Sequence, residues 1–116
     1  MNRNYKLFIK DINESIRQIE EYTKNISEEK FKKNLQIQDA VIRRLEIIGE
    51  ASKKIPRSVK ELNKEIPWKK VSLFRDFIVH SYFEASLNRI WIIVKEDLPK
   101  IKEKIKSIKL LWKNMI

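Results

Sequence analysis

The chain has 116 residues, with 26 Lys+Arg against 16 Asp+Glu and a formal charge of +10. That length fits one domain with one core, and that charge favours a polyanionic partner, either nucleic acid or an acidic protein. No cysteine and a single histidine exclude disulfides, thiolate catalysis and Cys-based metal sites, and leave no metal site expected within one chain. One glycine and three prolines argue for helices over hairpins.

From about Tyr5 to Lys24, apolar residues fall at Tyr5, Phe8, Ile12, Ile16, Ile19 and Tyr22, steps of three and four that predict an amphipathic helix. Ser27 is the expected N-cap of the next helix, with Glu28 and Glu29 in its first turn complementing the dipole. This second helix is expected to run from about Glu28 to Lys54. Its stripe is Phe31, Leu35, Val41 or Ile42, Leu45, Ile48 and Ile55. Gly49, the chain's only glycine, falls inside it at a cost of roughly 1 kcal/mol against Ala, which argues for close approach of another helix. Pro56 ends the element. Arg57 to Glu65 is polar, with room for one or two turns. Pro67 suits the first turn of a third long helix, which carries Trp68, Val71, Phe74, Ile78 and Tyr82 on one face. The last helix begins near Ser86 as N-cap. Its seam is Leu87, Ile90 or Trp91, Val94, Leu98, Ile101, Ile105, Ile108, Trp112 and Met115, close to a heptad repeat. Pro99 predicts a kink or restart there, with Asp97 as the new cap. Four long helices with short connections predict an all-α fold, an antiparallel four-helix bundle with a short extra helix, as one domain over 1–116. No apolar run approaches the roughly 18 residues that span a bilayer, and the N-terminus has no signal-peptide h-region, so a cytoplasmic location is expected.

The segment Arg75-Asp76-Phe77-Ile78-Val79-His80-Ser81-Tyr82 holds the only histidine. A guanidinium offers planar, bidentate donors to phosphate oxygens at any cellular pH. An imidazole takes and returns a proton near pH 7. Together they suit cleavage of a phosphodiester without a metal or any cofactor. The bland alternative is a packed histidine and a salt-bridged arginine. Residues five apart on an ideal helix differ by about 140°, so Arg75 and His80 do not share a face, whereas Asp76 and His80 do. A charged Arg in an apolar stripe is costly unless it is paired or faces a cleft. Either that stripe lines a subunit interface, or the helix ends before His80 and the groups converge. Asp76 either orients the His80 ring or pairs with Arg75. Lys69 and Lys70, just ahead, are candidates for holding RNA backbone, solvated lysines being the alternative. Cleavage through the 2′-OH needs both a base and an acid, and one chain has one imidazole. A symmetric dimer would supply two, with two copies of Arg75 around one phosphate.

The order Arg, four residues, His, one residue, Tyr resembles the signature of HepT-like toxins of the HEPN superfamily, with Arg75, His80 and Tyr82 on its three positions. Ala40 to Ala51 resembles the family's second-helix segment, Ile66-Pro67-Trp68 its lead into the motif helix, and Trp91 and Asp97-Leu98-Pro99 its last helix. The resemblance is clear from about Asp39 to Pro99. It implies a dimeric helical bundle of HEPN type with two motifs lining one cleft. It also implies a metal-independent endoribonuclease toxin, and an MntA-like minimal nucleotidyltransferase antitoxin that transfers AMP to Tyr82. Two positions depart from the family pattern: Asp76 stands where Asn is frequent, and Ser81 where Gly is frequent.

On this reading Arg75 holds the scissile phosphate, His80 is base or acid, and Asp76 orients it. Tyr82 lies near substrate and is the modification site, and Glu50 is a weaker candidate carboxylate. The alternative is a non-catalytic HEPN module that binds a nucleotide or docks a nucleotidyltransferase. A basic nucleic-acid-binding bundle is a third reading, resting on charge alone.

Overall fold

The computed structural model describes residues 5–80 and 83–109, with side chains for 5–74 and 87–109. Every element among them is helical: α1 (Tyr5–Thr23), α2 (Glu28–Lys33), α3 (Leu35–Lys53), α4 (Arg57–Leu62), α5 (Trp68–His80), α6 (Phe83–Ile92), a π-helical turn (Ile93–Asp97) and α7 (Leu98–Lys106). Among the described residues, no helix is long and apolar enough to cross a membrane.

The expected α1 stripe forms. Tyr5, Ile12, Ile16 and Ile19 are buried, Phe8 and Tyr22 are half-buried against the core, and Ile9 joins them. Asn25, at φ 61°, follows α1 in the left-handed region that Asn tolerates, as at many helix C-termini. Ser27 caps α2 as the sequence predicts: its Oγ accepts the Lys30 N–H at 3.1 Å.

The single helix expected over 28–54 is two. Asn34 closes α2, its N–H donating to the Phe31 carbonyl, and opens α3, its Oδ1 accepting the Ile37 N–H at 3.0 Å. One residue capping two helices resets the face, and the stripe is corrected accordingly. Leu35 is 62% exposed, while Gln38 is 3% exposed. Inside, Gln38 Nε2 donates to the Phe31 carbonyl at 2.9 Å, while its Oε1 is buried with no hydrogen-bond partner among the described residues. Beyond the break Val41, Leu45, Ile48 and Ile55 are buried as expected, Ile42 is half-buried and Gly49 is buried.

α3 packs against α1 on one side and α5 on another. α1 and α3 run in opposite directions, since Phe8 near the start of α1 lies under Lys54 at the end of α3, with Nζ 5.4 Å from the ring centroid. α7 runs against α1, held by Lys102 Nζ on Glu20 (2.9 Å). Phe31 meets Trp91 at 5.2 Å between ring centroids, tying α2 to α6.

The last helical stretch starts at Phe83, so Ser86 lies inside α6 rather than at its cap. Its seam holds at Leu87, Ile90, Val94, Leu98, Ile101 and Ile105, with Trp91 and Ile108 half-buried and Ile93 added. α7 ends at Lys106; Trp112 and Met115 lie outside the described residues. The irregularity expected at Pro99 is present as the π-helical turn, where the Leu98 N–H reaches the Ile93 carbonyl. Pro99 falls in the first turn of α7, directly after the π-helical turn and in helical backbone that continues unbroken through Asp97 and Leu98. Asp97 makes no capping bond. Its carboxylate instead pairs with Lys70 of α5 at 3.0 Å.

Candidate functional site

The motif sits on α5, and the junction before it fixes where α5 starts. Pro67 stands one residue ahead of the helix, at its cap rather than in its first turn, and its carbonyl accepts the Val71 N–H at 3.0 Å. The Trp68 indole N–H donates to the Asn63 carbonyl at 3.1 Å. Lys60 Nζ lies 5.8 Å from the Trp68 ring centroid, and burial pushes the Lys60 ammonium below the ordinary lysine range. The buried Asn63 side chain donates to the Val59 carbonyl (2.8 Å) and the Lys109 carbonyl (2.9 Å) and accepts the Lys109 N–H (2.7 Å). This clasp joins the α4–α5 corner to the chain beyond α7.

Val71 and Phe74 bury one face of α5. The helix continues through Arg75, Asp76 and His80, so it does not end before His80. Positions 75 and 80 therefore stand about 140° apart round one axis, and 76 and 80 share a face. The side chains of Arg75, Asp76 and His80, and the whole of Tyr82, lie outside the described residues.

Lys69 and Lys70 are exposed on the first turn of α5. They line a cleft of about 730 Å³ with Leu73, Phe74 and Ile93 as its apolar wall and Arg89 and Asp97 at its polar side. A smaller groove, about 230 Å³, shares Pro67, Lys70 and Asp97 with that cleft and adds Lys100, Ile101 and Lys104 of α7. The sequence reading missed Arg89, Lys100 and Lys104. The signal for the last two was available, because lysines four apart share a helix face. Glu50 is in a third groove, about 220 Å³, between α1 and α3, whose lining also includes Asp11, Arg43 and Lys54. Among the described residues, no three His, Asp or Glu side chains are grouped to hold a metal ion.

A helical chain, basic, with this motif on a buried-faced helix, is similar to the Ribonuclease HepT-like family, whose model matches residues 12–108. The chain belongs to the HepT-like ribonuclease family. A protein of Thermococcus cleftensis named "Probable ribonuclease HepT" is 45% identical to this HepT-like chain over 109 residues, 94% of the chain and 99% of that relative. A Methanocaldococcus jannaschii protein named "Putative RNase" is 42% identical over 106 residues, 91% of the chain and 97% of the relative. A second protein of that organism, named "Gamma-glutamylcyclotransferase and putative RNase", is 45% identical over 108 residues; the match covers 93% of the HepT-like chain and 49% of that protein. No solved structure gives a significant match.

Proposed function

We propose that this HepT-like chain is the toxin of a toxin–antitoxin pair and cuts RNA without a metal. It acts as a dimer of antiparallel four-helix bundles of HEPN type, with two copies of α5 around one phosphodiester. The observation that carries this reading is the course of α5. One continuous helix holds positions 75 and 80 about 140° apart, so one copy does not present both to one phosphate, and two facing copies do.

Arg75 grips the scissile phosphate and stabilises its developing charge. One His80 takes the proton of the 2′-OH as the 2′-oxygen attacks phosphorus. The P–O5′ bond breaks, and the second copy of His80 protonates the leaving 5′-oxygen. The product is a 2′,3′-cyclic phosphate. Asp76 orients the imidazole. Tyr82 is the control point: an MntA-like nucleotidyltransferase antitoxin transfers AMP from ATP to its phenolic oxygen with release of pyrophosphate, and the added phosphate pairs with Arg75 and fills the cleft.

The test is cleavage of RNA in EDTA. Activity persists, and His80→Ala or Arg75→Ala lowers it by about 10²–10⁴; a clean His80→Ala protein that cuts as fast as wild type overturns the assignment. Asp76→Asn is expected to keep or raise the rate, whereas a collapse would make the carboxylate essential for holding the ring. Light scattering should give a dimer at micromolar concentration. Incubation with the cognate nucleotidyltransferase and ATP should add an AMP-sized mass to Tyr82. If Tyr82→Phe is still fully neutralised, inhibition works by binding alone.

A further inference from the structure

Two cavities meet at the Lys70–Asp97 ion pair, 3.0 Å long. The larger, about 730 Å³, is walled by Leu73, Phe74 and Ile93 and has Lys69 on its lining. That volume lies within the roughly 300–1,000 Å³ of clefts that take small ligands or parts of larger ones. The smaller, about 230 Å³, brings Lys100 and Lys104 of α7 to the other side of the same ion pair. Lys69, Lys100 and Lys104 have no acidic partner among the described residues. Asp97 is the one carboxylate among the described residues lining either cavity, and Lys70 already neutralises it.

An apolar slot set beside uncommitted ammonium groups needs an occupant with both kinds of surface. An acidic peptide would satisfy the lysines but would fill the slot only where a large apolar side chain happened to fall at the right spacing. Duplex RNA would satisfy the lysines while its paired, stacked bases stay out of reach. A single strand offers an apolar base face and a phosphate at every nucleotide, and the chain's charge of +10 favours it at long range. On the ribonuclease reading above, we propose that these cavities form a subsite for the substrate strand, on the α5 face that leads from Lys69 and Leu73 toward positions 76 and 80. An unpaired base enters the Leu73–Phe74–Ile93 slot. The phosphates flanking it lie on Lys69 to one side and on Lys100 and Lys104 to the other. The substrate class is therefore single-stranded RNA.

The probe is a labelled 2′-O-methyl oligoribonucleotide, which has no attacking 2′-OH, bound to the full chain and followed by fluorescence anisotropy over a salt series. Replacing both groove lysines, Lys100→Gln with Lys104→Gln, should flatten the dependence of log K on log salt by about 1.4, two phosphates at about 0.7 each. Leu73 is 45% exposed, so Leu73→Ser should fold. It should weaken the intact strand about tenfold, within the range for losing one base contact, and leave an abasic strand of the same length unchanged. Duplex RNA of the same sequence should bind more weakly than the single strand. An unchanged salt slope in the lysine double variant overturns the proposal. Equal penalties for intact and abasic strands also overturn it. If Leu73→Ser splits an oligomer, the slot is an interface between copies and the subsite does not exist. Failure here is distinct from failure of the cleavage chemistry. A Leu73→Ser protein with wild-type RNA affinity and normal cleavage rejects the subsite alone, whereas a His80→Ala protein that still cuts rejects the catalytic assignment and leaves the binding result standing.

Discussion

Asn63 is 1% exposed and commits both donors and the acceptor of its side chain to backbone groups of Val59 and Lys109. Asn63→Ala would strand those groups where water has little access, at about 1–3 kcal/mol each before relaxation. A loss of about 2–4 kcal/mol in urea unfolding is expected. Nothing local in the sequence marks this residue, because two of its three bonds go to a residue 46 positions away; the polar stretch read there gave one or two helical turns and no clasp. Lys60, close by, supplies a pH test. Burial lowers its folded-state pKa below 10.5, so in that window the unfolded chain binds more protons than the folded one, and stability rises with pH until 10.5 is passed. Lys60→Met removes that rise. The urea midpoint of wild type should climb relative to the variant as pH rises toward 10.5; parallel curves would show that the ammonium is not strained by burial.

At the scale of elements, the apolar spacing was enough to read α1, the later part of α3, the first half of α5 and the seam through α6 and α7. It was misleading where two helices meet without a gap. Leu35 fits the stripe of an unbroken helix, yet Asn34 serves both ends at once and turns Leu35 outward. An Asn inside a helical pattern is ambiguous in sequence, since its side chain competes with the helix only when the backbone lets it cap. Two substitutions separate the readings. Asn34→Ala should cost about 1 kcal/mol as a lost N-cap, and Leu35→Ser should fall within about 0.5 kcal/mol of wild type, as surface changes do. Leu45→Ala, in the core of the same element, should cost about 2–5 kcal/mol. The motif residues were legible for a different reason, since their chemistry is written in residue types. On the reading proposed above, the direction in which they act depends on a second copy of α5, which one chain's sequence carries only by implication.

For the molecule as a whole, the core is mostly apolar, and ion pairs such as Lys102–Glu20 and Lys70–Asp97 are at least partly open to solvent. Exposed pairs contribute little and are screened by salt. The charge of +10 acts instead on what the protein meets. Raising salt from 0.1 to 0.5 M should therefore shift the melting temperature by only a few degrees while weakening RNA binding by well over tenfold if three or more phosphates are held. Parallel losses in both would mean that the fold itself leans on its charges. The composition pointed to a polyanionic partner; it did not show that α5 and α7 bring Lys70, Lys100 and Lys104 to one groove, because that depends on how the two helices pack.

The π-helical turn at Ile93–Asp97 carries one more residue per turn than the α-helices on either side. Among the described residues, the chain thus has slack at this turn. Deleting exposed Glu96 should let the turn tighten to an α-turn with Leu98, Ile101 and Ile105 still facing inward. Deleting exposed Arg43 from α3 should swing everything after it by about 100° and carry Leu45 and Ile48 out of the core. Circular dichroism of the two single-residue deletions should show one cooperative melt and one unfolded chain, so that length variation in this protein is tolerated at the turn and not along the regular helix.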